Sequence, residues 1–175
     1  KNLDALEKEE QEIKNKMILM RGIARSGKSS WIKENGLEDY VVSLDKILYM
    51  FNGSELNMNT AFGINFYNMK KALNIYIEVL EKRMKQEKLG PIDNTNLKRK
   101  DMKDVLKLAT KYNYETVVLE VNTPFEQILK NNKSVKEKEL SRKVLEKQKE
   151  NKEKDQQWFE DNFTIYNKET INNFL

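Results

Sequence analysis

The chain has no cysteine, no histidine, two prolines and six glycines in 175 residues. Without thiolate and imidazole donors it builds no disulfide, structural zinc site or iron–sulfur cluster, and cysteine or histidine acid–base catalysis is excluded. Proton transfer must fall to carboxylates, lysine or tyrosine. Long apolar runs are missing too: none approaches the roughly 20 residues that span a bilayer, and no secretory leader pattern opens the sequence. An intracellular, cytoplasmic protein is therefore expected. Nor is there a large excess of either charge, because 32 basic residues stand against 28 acidic ones. A net charge of +4 names no partner by itself. The length suits one domain with a real core.

The sequence does not begin with methionine and opens on a densely charged stretch, so its numbering is expected to start inside a longer chain. Residues 1–15 read as an exposed helix with Leu3, Leu6 and Ile13 as a thin apolar seam. Residues 1–16 are set apart as a leading helix or linker, and 17–175 as one domain. Within that domain, Met17 to Met20 is a short apolar run ended by Gly22 and reads as a buried strand. Further strands are expected at Tyr40-Val41-Val42-Ser43, weakly at Ile92-Asp93 after Gly90-Pro91, at Thr116 to Val121 and at Phe163 to Tyr166.

Helical patterns separate these strands: Ser30 to Glu34, Lys46 to Phe51, Phe66 to Gln86, Lys98 to Tyr112, Phe125 to Asn131, Glu137 to Phe159, and a stub at the end. In the longest, Phe66, Met69, Leu73, Tyr76, Leu80 and Met84 recur at spacings of three and four and mark a core-facing stripe. The alternation predicts an α/β fold: a parallel sheet of about five strands, helices on both faces, and a helical lid over about 128–157.

Gly22-Ile-Ala-Arg-Ser-Gly-Lys-Ser29 fits G-x-x-x-x-G-K-[ST] at every fixed position, between a predicted strand and a predicted helix. Glycines let the backbone curl so that successive N–H groups form a nest for a polyphosphate, helped by the start of the helix. The candidate nucleotide-binding residues are Gly22, Arg25, Ser26, Gly27, Lys28, Ser29 and Ser30. Lys28 is expected to reach the β- and γ-phosphates of ATP or another NTP, and Ser29 to ligate Mg²⁺. Arg25 either touches phosphate or points to solvent.

Met20 to Trp31, then Val41-Val-Ser-Leu-Asp45, then Asp93-Asn-Thr-Asn-Leu97, resembles the kinase domain of the 5′-hydroxyl polynucleotide kinases, the phage and bacterial end-healing enzymes. The resemblance runs from about Met17 to Tyr166. It implies that Asp45 orients and deprotonates the attacking 5′-hydroxyl, and carboxyl ends of parallel strands are where such groups gather. On the residues alone, Asp45 also stands where it can cap the helix that starts at Lys46, and the two roles can coexist. Asp93 corresponds to the family's D-x-T-N segment and is implied as a Mg²⁺ partner, with Thr95 or Asn96 capping the next helix. The resemblance also places Asn167 near the adenine base. Trp31 matches a family aromatic and reads as core.

Two departures stand beside the likeness. The family's arginine three residues after the base aspartate is Leu48 here, and its pair of lid arginines is replaced by a stretch in which Lys130, Lys133, Lys136 and Arg142 are the candidate clamp. Lysine supplies charge without the planar fork of a guanidinium. From Ile128 to Lys154 there are ten Lys/Arg and five Glu, which leaves the remainder of the chain near neutrality. Such a segment either draws in polyanions or is a solvated helix.

The leading functional expectation is a Mg²⁺-dependent kinase moving the γ-phosphate of ATP to a 5′-hydroxyl end of single-stranded or end-frayed RNA or DNA, beside a ligase or phosphatase domain. The alternatives are the same chemistry on a small-molecule acceptor, and a catalytically weak nucleotide-binding module of a larger repair protein.

Overall fold

The run Met17 to Met20 lies within strand β1 (Asn15–Arg21), every residue of which from Met17 onward is buried. The computed structural model describes residues 15–52, 66–86, 91–94, 96–136 and 139–175. Asn15 and Lys16 thus belong to the sheet, and the rest of the expected leading helix lies outside the described residues. Strand β1 pairs in parallel with β2 (Ile92–Asp93) on one side and with β3 (Tyr114–Glu120) on the other, and β3 pairs with β4 (Thr164–Tyr166). The order is β2-β1-β3-β4.

Among the described residues the sheet has four strands, against the expected number of about five. Tyr40 closes a 3₁₀ turn (Glu38–Tyr40), and Val42 contributes only an isolated parallel bridge to Ile92. The bridge uses two hydrogen bonds, Val42 N to Pro91 O at 2.9 Å and Asp93 N to Val42 O at 2.9 Å. One residue later the chain turns helical, because Ser43 Oγ accepts from Lys46 N at 3.4 Å and starts the next helix.

Helices cover both faces. Alternate residues of a strand face opposite sides, so Met17, Leu19 and Val118 pack on one face against α3 (Phe66–Lys85), α4 (Lys103–Lys111) and Phe159 of α7 (Gln156–Asn162). Ile18, Met20, Val117 and Leu119 meet Trp31 and Ile32 of α1 (Lys28–Glu34), together with Ile171 and Phe174, on the other face. Trp31 is core, as expected. In α3 the buried stripe is Ala72, Tyr76, Leu80 and Met84; Leu73 is 42 % exposed, and the neighbouring Ala72 is fully buried.

Helix α2 (Leu44–Asn52) follows the bridge, and α5 (Phe125–Lys133) follows β3. The single helix expected over Glu137 to Phe159 is two helices, α6 (Arg142–Lys154) and α7, divided at Asp155. Ser141 caps the start of α6 by accepting from Val144 N. At the other end Arg21 takes the Lys152 carbonyl at 2.8 Å, which diverts a hydrogen-bond acceptor that a continuous helix would use. Leu140 and Leu145 dock this pair of helices onto Ile23, Leu97 and Ile128. Among the described residues no helix is long and apolar enough to cross a membrane.

Candidate active site

Strand β1 runs straight into the loop that precedes α1. A Cβ on Gly22 would lie 2.7 Å from Ser26 Oγ and 3.0 Å from the Val121 carbonyl oxygen, so the close approach of β3 requires glycine there. Gly27 has φ +100°, and Arg25, at φ +66°, holds the left-handed conformation that a side chain makes costly. The curl is braced from outside: Thr123 Oγ1 donates to Ser26 O at 2.6 Å and Asn131 Nδ2 to Arg25 O at 3.0 Å. Inside it, Lys28 Nζ donates to Gly22 O at 2.9 Å and Ile23 O at 3.1 Å. Ser26 Oγ is buried without a hydrogen-bond partner among the described residues. Burial pushes the Lys28 pKa down, against the pull of Asp93 and Asp45 and with the push of Arg25. A desolvated ammonium and an unsatisfied hydroxyl in a nest of main-chain groups fit a polyphosphate.

Two carboxyl groups face this lysine. Asp93 ends β2, and its Oδ2 accepts from Ser29 Oγ at 3.3 Å. Asp45 is in the first turn of α2, and Ser43, not Asp45, caps that helix. The α2 start is further fixed by Leu44 N, which donates to Asn94 Oδ1 at 3.0 Å. Burial is the main cause that raises the Asp45 pKa, the nearby Asp93 charge adds a smaller push in the same direction, and Lys28 opposes both. Burial also raises the Asp93 pKa, with Lys28, the Ser29 hydroxyl and Lys46 opposing. Ser29 and Asp93 form a hard-oxygen pair of the kind that suits Mg²⁺, an ion usually held by one or two carboxylates completed by phosphate oxygens and water. Among the described residues no cluster of three or more acidic side chains forms a metal cage.

Residues 17–154 match the family AAA_33, an AAA domain. The chain belongs to this AAA domain family. No curated protein matches it. Among solved structures, it resembles a chain of the Pnkp1/Rnl/Hen1 RNA repair complex at TM-score 0.68 and 18% identity, covering 86% of this chain and 46% of that one. A chain in another structure of the Pnkp1/Rnl/Hen1 complex gives TM-score 0.55 and 20% identity over 67% of this chain and 38% of that one. A candidate kinase from Chloroflexus aurantiacus gives TM-score 0.60 and 14% identity over 77% and 75%. This AAA-family domain therefore has the P-loop kinase fold, and it spans less than half the length of the Pnkp1/Rnl/Hen1 chains it matches.

The remaining residues singled out in the sequence of this AAA-family domain lie further from the phosphate loop's interior. Lys130, Lys133 and Lys136 are exposed around the end of α5. Arg142 is exposed on α6 and is paired with Glu146 Oε1 at 2.8 Å. Leu48 is 2 % exposed, packed in the core where the resembled kinases carry arginine. Asn167 is exposed, and its Oδ1 accepts from Glu169 N, Thr170 N and Thr170 Oγ1, so its side chain is occupied by its own turn. Next to it, Lys168 Nζ reaches within 3.5 Å of where a Gly27 Cβ would be. Asn96 does not cap a helix; its Nδ2 donates to Met20 O at 2.6 Å, and Thr95 lies outside the described residues.

Sequence reasoning missed the group that organises the base of the site. Arg21 is fully buried directly before Gly22. It donates to Asn96 O at 3.2 Å, Leu97 O at 3.1 Å, Lys152 O at 2.8 Å and Gln156 Oε1 at 2.7 Å, and pairs with Glu120 at 3.7 Å. Lys152 joins through Glu120 Oε1 at 3.0 Å and Asn122 Oδ1 at 2.7 Å. One guanidinium thus ties β1, β3, the loop after β2 and the α6–α7 corner. The available signal was a lone arginine ending an apolar strand, which implies a built partner set.

Proposed function

We propose that this chain is an ATP-dependent kinase that transfers the γ-phosphate to the 5′-hydroxyl end of single-stranded or end-frayed RNA or DNA, as in nucleic-acid end repair. The observation that carries the reading is the meeting of Lys28, Asp45 and Asp93 at one phosphate loop, a buried cation faced by two carboxyl groups of raised pKa. Gly22, Arg25, Ser26, Gly27, Lys28, Ser29 and Ser30 hold the polyphosphate, and Asn167 lies on the adenine side. Asp45 takes the proton of the 5′-hydroxyl as its oxygen bonds to the γ-phosphorus. The bond from that phosphorus to the bridging oxygen breaks, and ADP leaves with the electron pair. A carboxylate whose pKa is raised by burial and a like charge is a better base than an ordinary aspartate.

Ser29 and Asp93 would hold Mg²⁺, which when bound neutralises charge on the β- and γ-phosphate oxygens. Lys28 adds its charge at the transferring group, and Lys130, Lys133, Lys136 and Arg142 form the basic lid that attracts both polyanions. Because the transition state is loose, positioning and charge stabilisation supply most of the rate enhancement. The likeness to chains of an RNA repair complex supports a nucleic-acid acceptor, and a ligase or phosphatase domain beside this one belongs to the same reading.

The test is transfer of labelled γ-phosphate to a 5′-hydroxyl oligonucleotide by the wild type, Asp45→Asn and Lys28→Ala. Transfer by the wild type alone is expected. No transfer to any oligonucleotide would remove the polynucleotide reading. The second reading, a kinase of a small-molecule acceptor on the same loop and base, is favoured by the burial of Leu48 where a substrate-phosphate arginine is otherwise found.

A further inference from the structure

Between the turn that opens α4 and the α6–α7 corner lies an open groove of about 420 Å³, lined by Lys98, Arg99 and Lys100 on one side and Asn151, Lys154 and Asp155 on the other. Arg99, Lys100 and Lys154 are exposed and Lys98 is half-buried. The one carboxylate among the described lining residues, Asp155, is already engaged, its Oδ2 accepting from Arg99 N at 2.9 Å. Asp101 and Glu153 border the groove without lining it, and Glu153 pairs with Lys149 at 3.9 Å. Among the described residues, four cations against one engaged carboxylate make the groove a concentrated positive surface.

The Arg99 guanidinium is held in place, 5.5 Å over the Trp158 ring, which is itself braced edge-on by Phe159 at 5.0 Å and Phe163 at 5.7 Å. The described lining is mostly cationic, and phosphate oxygens are the partners a strand offers such side chains at every nucleotide. The groove is tied to the candidate site by a short chain path. Lys98 is five residues beyond Asp93, so their Cα atoms are at most about 18 Å apart. A stacked strand advances about 3.4 Å per nucleotide, which brings roughly its first five phosphates within that span.

We propose that this groove binds the phosphodiester backbone of the single strand trailing behind the 5′-hydroxyl end. This rests on the polynucleotide reading of the site. The groove makes the kinase prefer an oligonucleotide over a single nucleotide.

The proposal is tested with the triple variant Lys98→Ala/Lys100→Ala/Lys154→Ala and with Lys100→Glu/Lys154→Glu, unfolding temperatures being recorded for both. Binding of 3′-labelled RNA and DNA strands of about twelve nucleotides is followed by fluorescence anisotropy across a salt series, without ATP. The triple variant is expected to weaken binding about tenfold and to flatten the slope of log K against log salt by about 2, for three lost contacts at roughly 0.7 each on a single strand. KM for the long strand should rise while KM for ATP and for a trinucleotide stays put. A wild-type affinity and slope in the folded triple variant overturns the groove. If the wild type binds the strand through the groove but phosphorylates no 5′-hydroxyl, the kinase reading falls and the groove stands. If transfer is intact and both variants match the wild type on long and short strands, the groove falls and the kinase reading stands. RNA and DNA binding alike supports backbone recognition; loss on only one of them overturns it in favour of sugar-specific contacts.

Discussion

Gln148 on α6 and Ala24 in the phosphate loop are joined by a hydrogen bond of 2.8 Å, from the Ala24 N–H to the Gln148 Oε1. A helix of the basic segment thus rests on the nucleotide loop itself, through an uncharged residue. One such bond is worth about 1 kcal/mol net, or roughly fivefold in an equilibrium. Gln148→Ala is expected to weaken ATP binding by up to about that factor and to lower the unfolding temperature by about 2 to 4 degrees. Gln148→Glu keeps the acceptor and adds a negative charge beside the phosphates, so its loss should be larger. A fluorescent ATP analogue measures both, and equal affinities across the three proteins would show that the contact does not bear on the nucleotide.

The pH dependence follows from Asp45. Its pKa is raised by burial and by Asp93, and the base works only when deprotonated. Activity is therefore expected to fall with decreasing pH at a midpoint above the ordinary aspartate value of about 3.9. For stability the sign is opposite. A carboxyl with a raised folded-state pKa binds its proton more tightly when folded, so its stabilisation is present at low pH and lost as pH rises through that pKa. Asp93→Asn, which removes one of the two like charges, should raise the unfolding temperature of the ligand-free protein at neutral pH by a few degrees while lowering transfer. A fall in stability would mean that the Ser29 contact outweighs the repulsion.

Arg21 tests the base of the site. Truncation to methionine leaves Glu120 buried with less compensating charge and four acceptors without their donor. Breaking a buried pair from one side costs roughly 3 to 5 kcal/mol, or about ten degrees of unfolding temperature in a chain of this size. Calorimetry of Arg21→Met reads this directly, and a shift under two or three degrees would mean that Lys152 and Gln156 suffice to satisfy Glu120.

Leu48→Arg would restore the residue that resembled kinases carry, yet Leu48 is 2 % exposed. Burying an unpaired guanidinium is costly, so this variant is expected to lose stability and gain no activity. An active, stable Leu48→Arg would show that α2 rotates to present the position to the cleft.

The parts of the fold and site that could be read in advance are those governed by neighbours in sequence. The phosphate loop is local: spacing, glycines and the flanking strand determine it, and Gly22 and Gly27 have the close contact and positive φ that the motif requires. Strand β3 is likewise announced by its β-branched run. The errors arise where distant segments compete for the same backbone groups. Val42 makes one bridge and stops, because Ser43 turns its side chain to the start of α2. The helix expected through Asp155 breaks where Arg21 and Arg99 N draw on its end. Ala72 rather than Leu73 joins Tyr76, Leu80 and Met84 in the buried stripe, because burial is decided by what packs against the helix and not by its apolar spacing alone.

By itself the sequence determined the chemical vocabulary: no thiol or imidazole, a polyphosphate loop ending in Lys28 and Ser29, and carboxylates as the bases at hand. Tertiary structure decided which of them meet. Asp45 and Asp93 are separated along the chain and come together only because the Val42 bridge and β2 end side by side at the same edge of the sheet. Arg21 and Gln148 acquired their places in the same way, since a buried charge and a loop amide must be satisfied by whatever packing brings within hydrogen-bond reach.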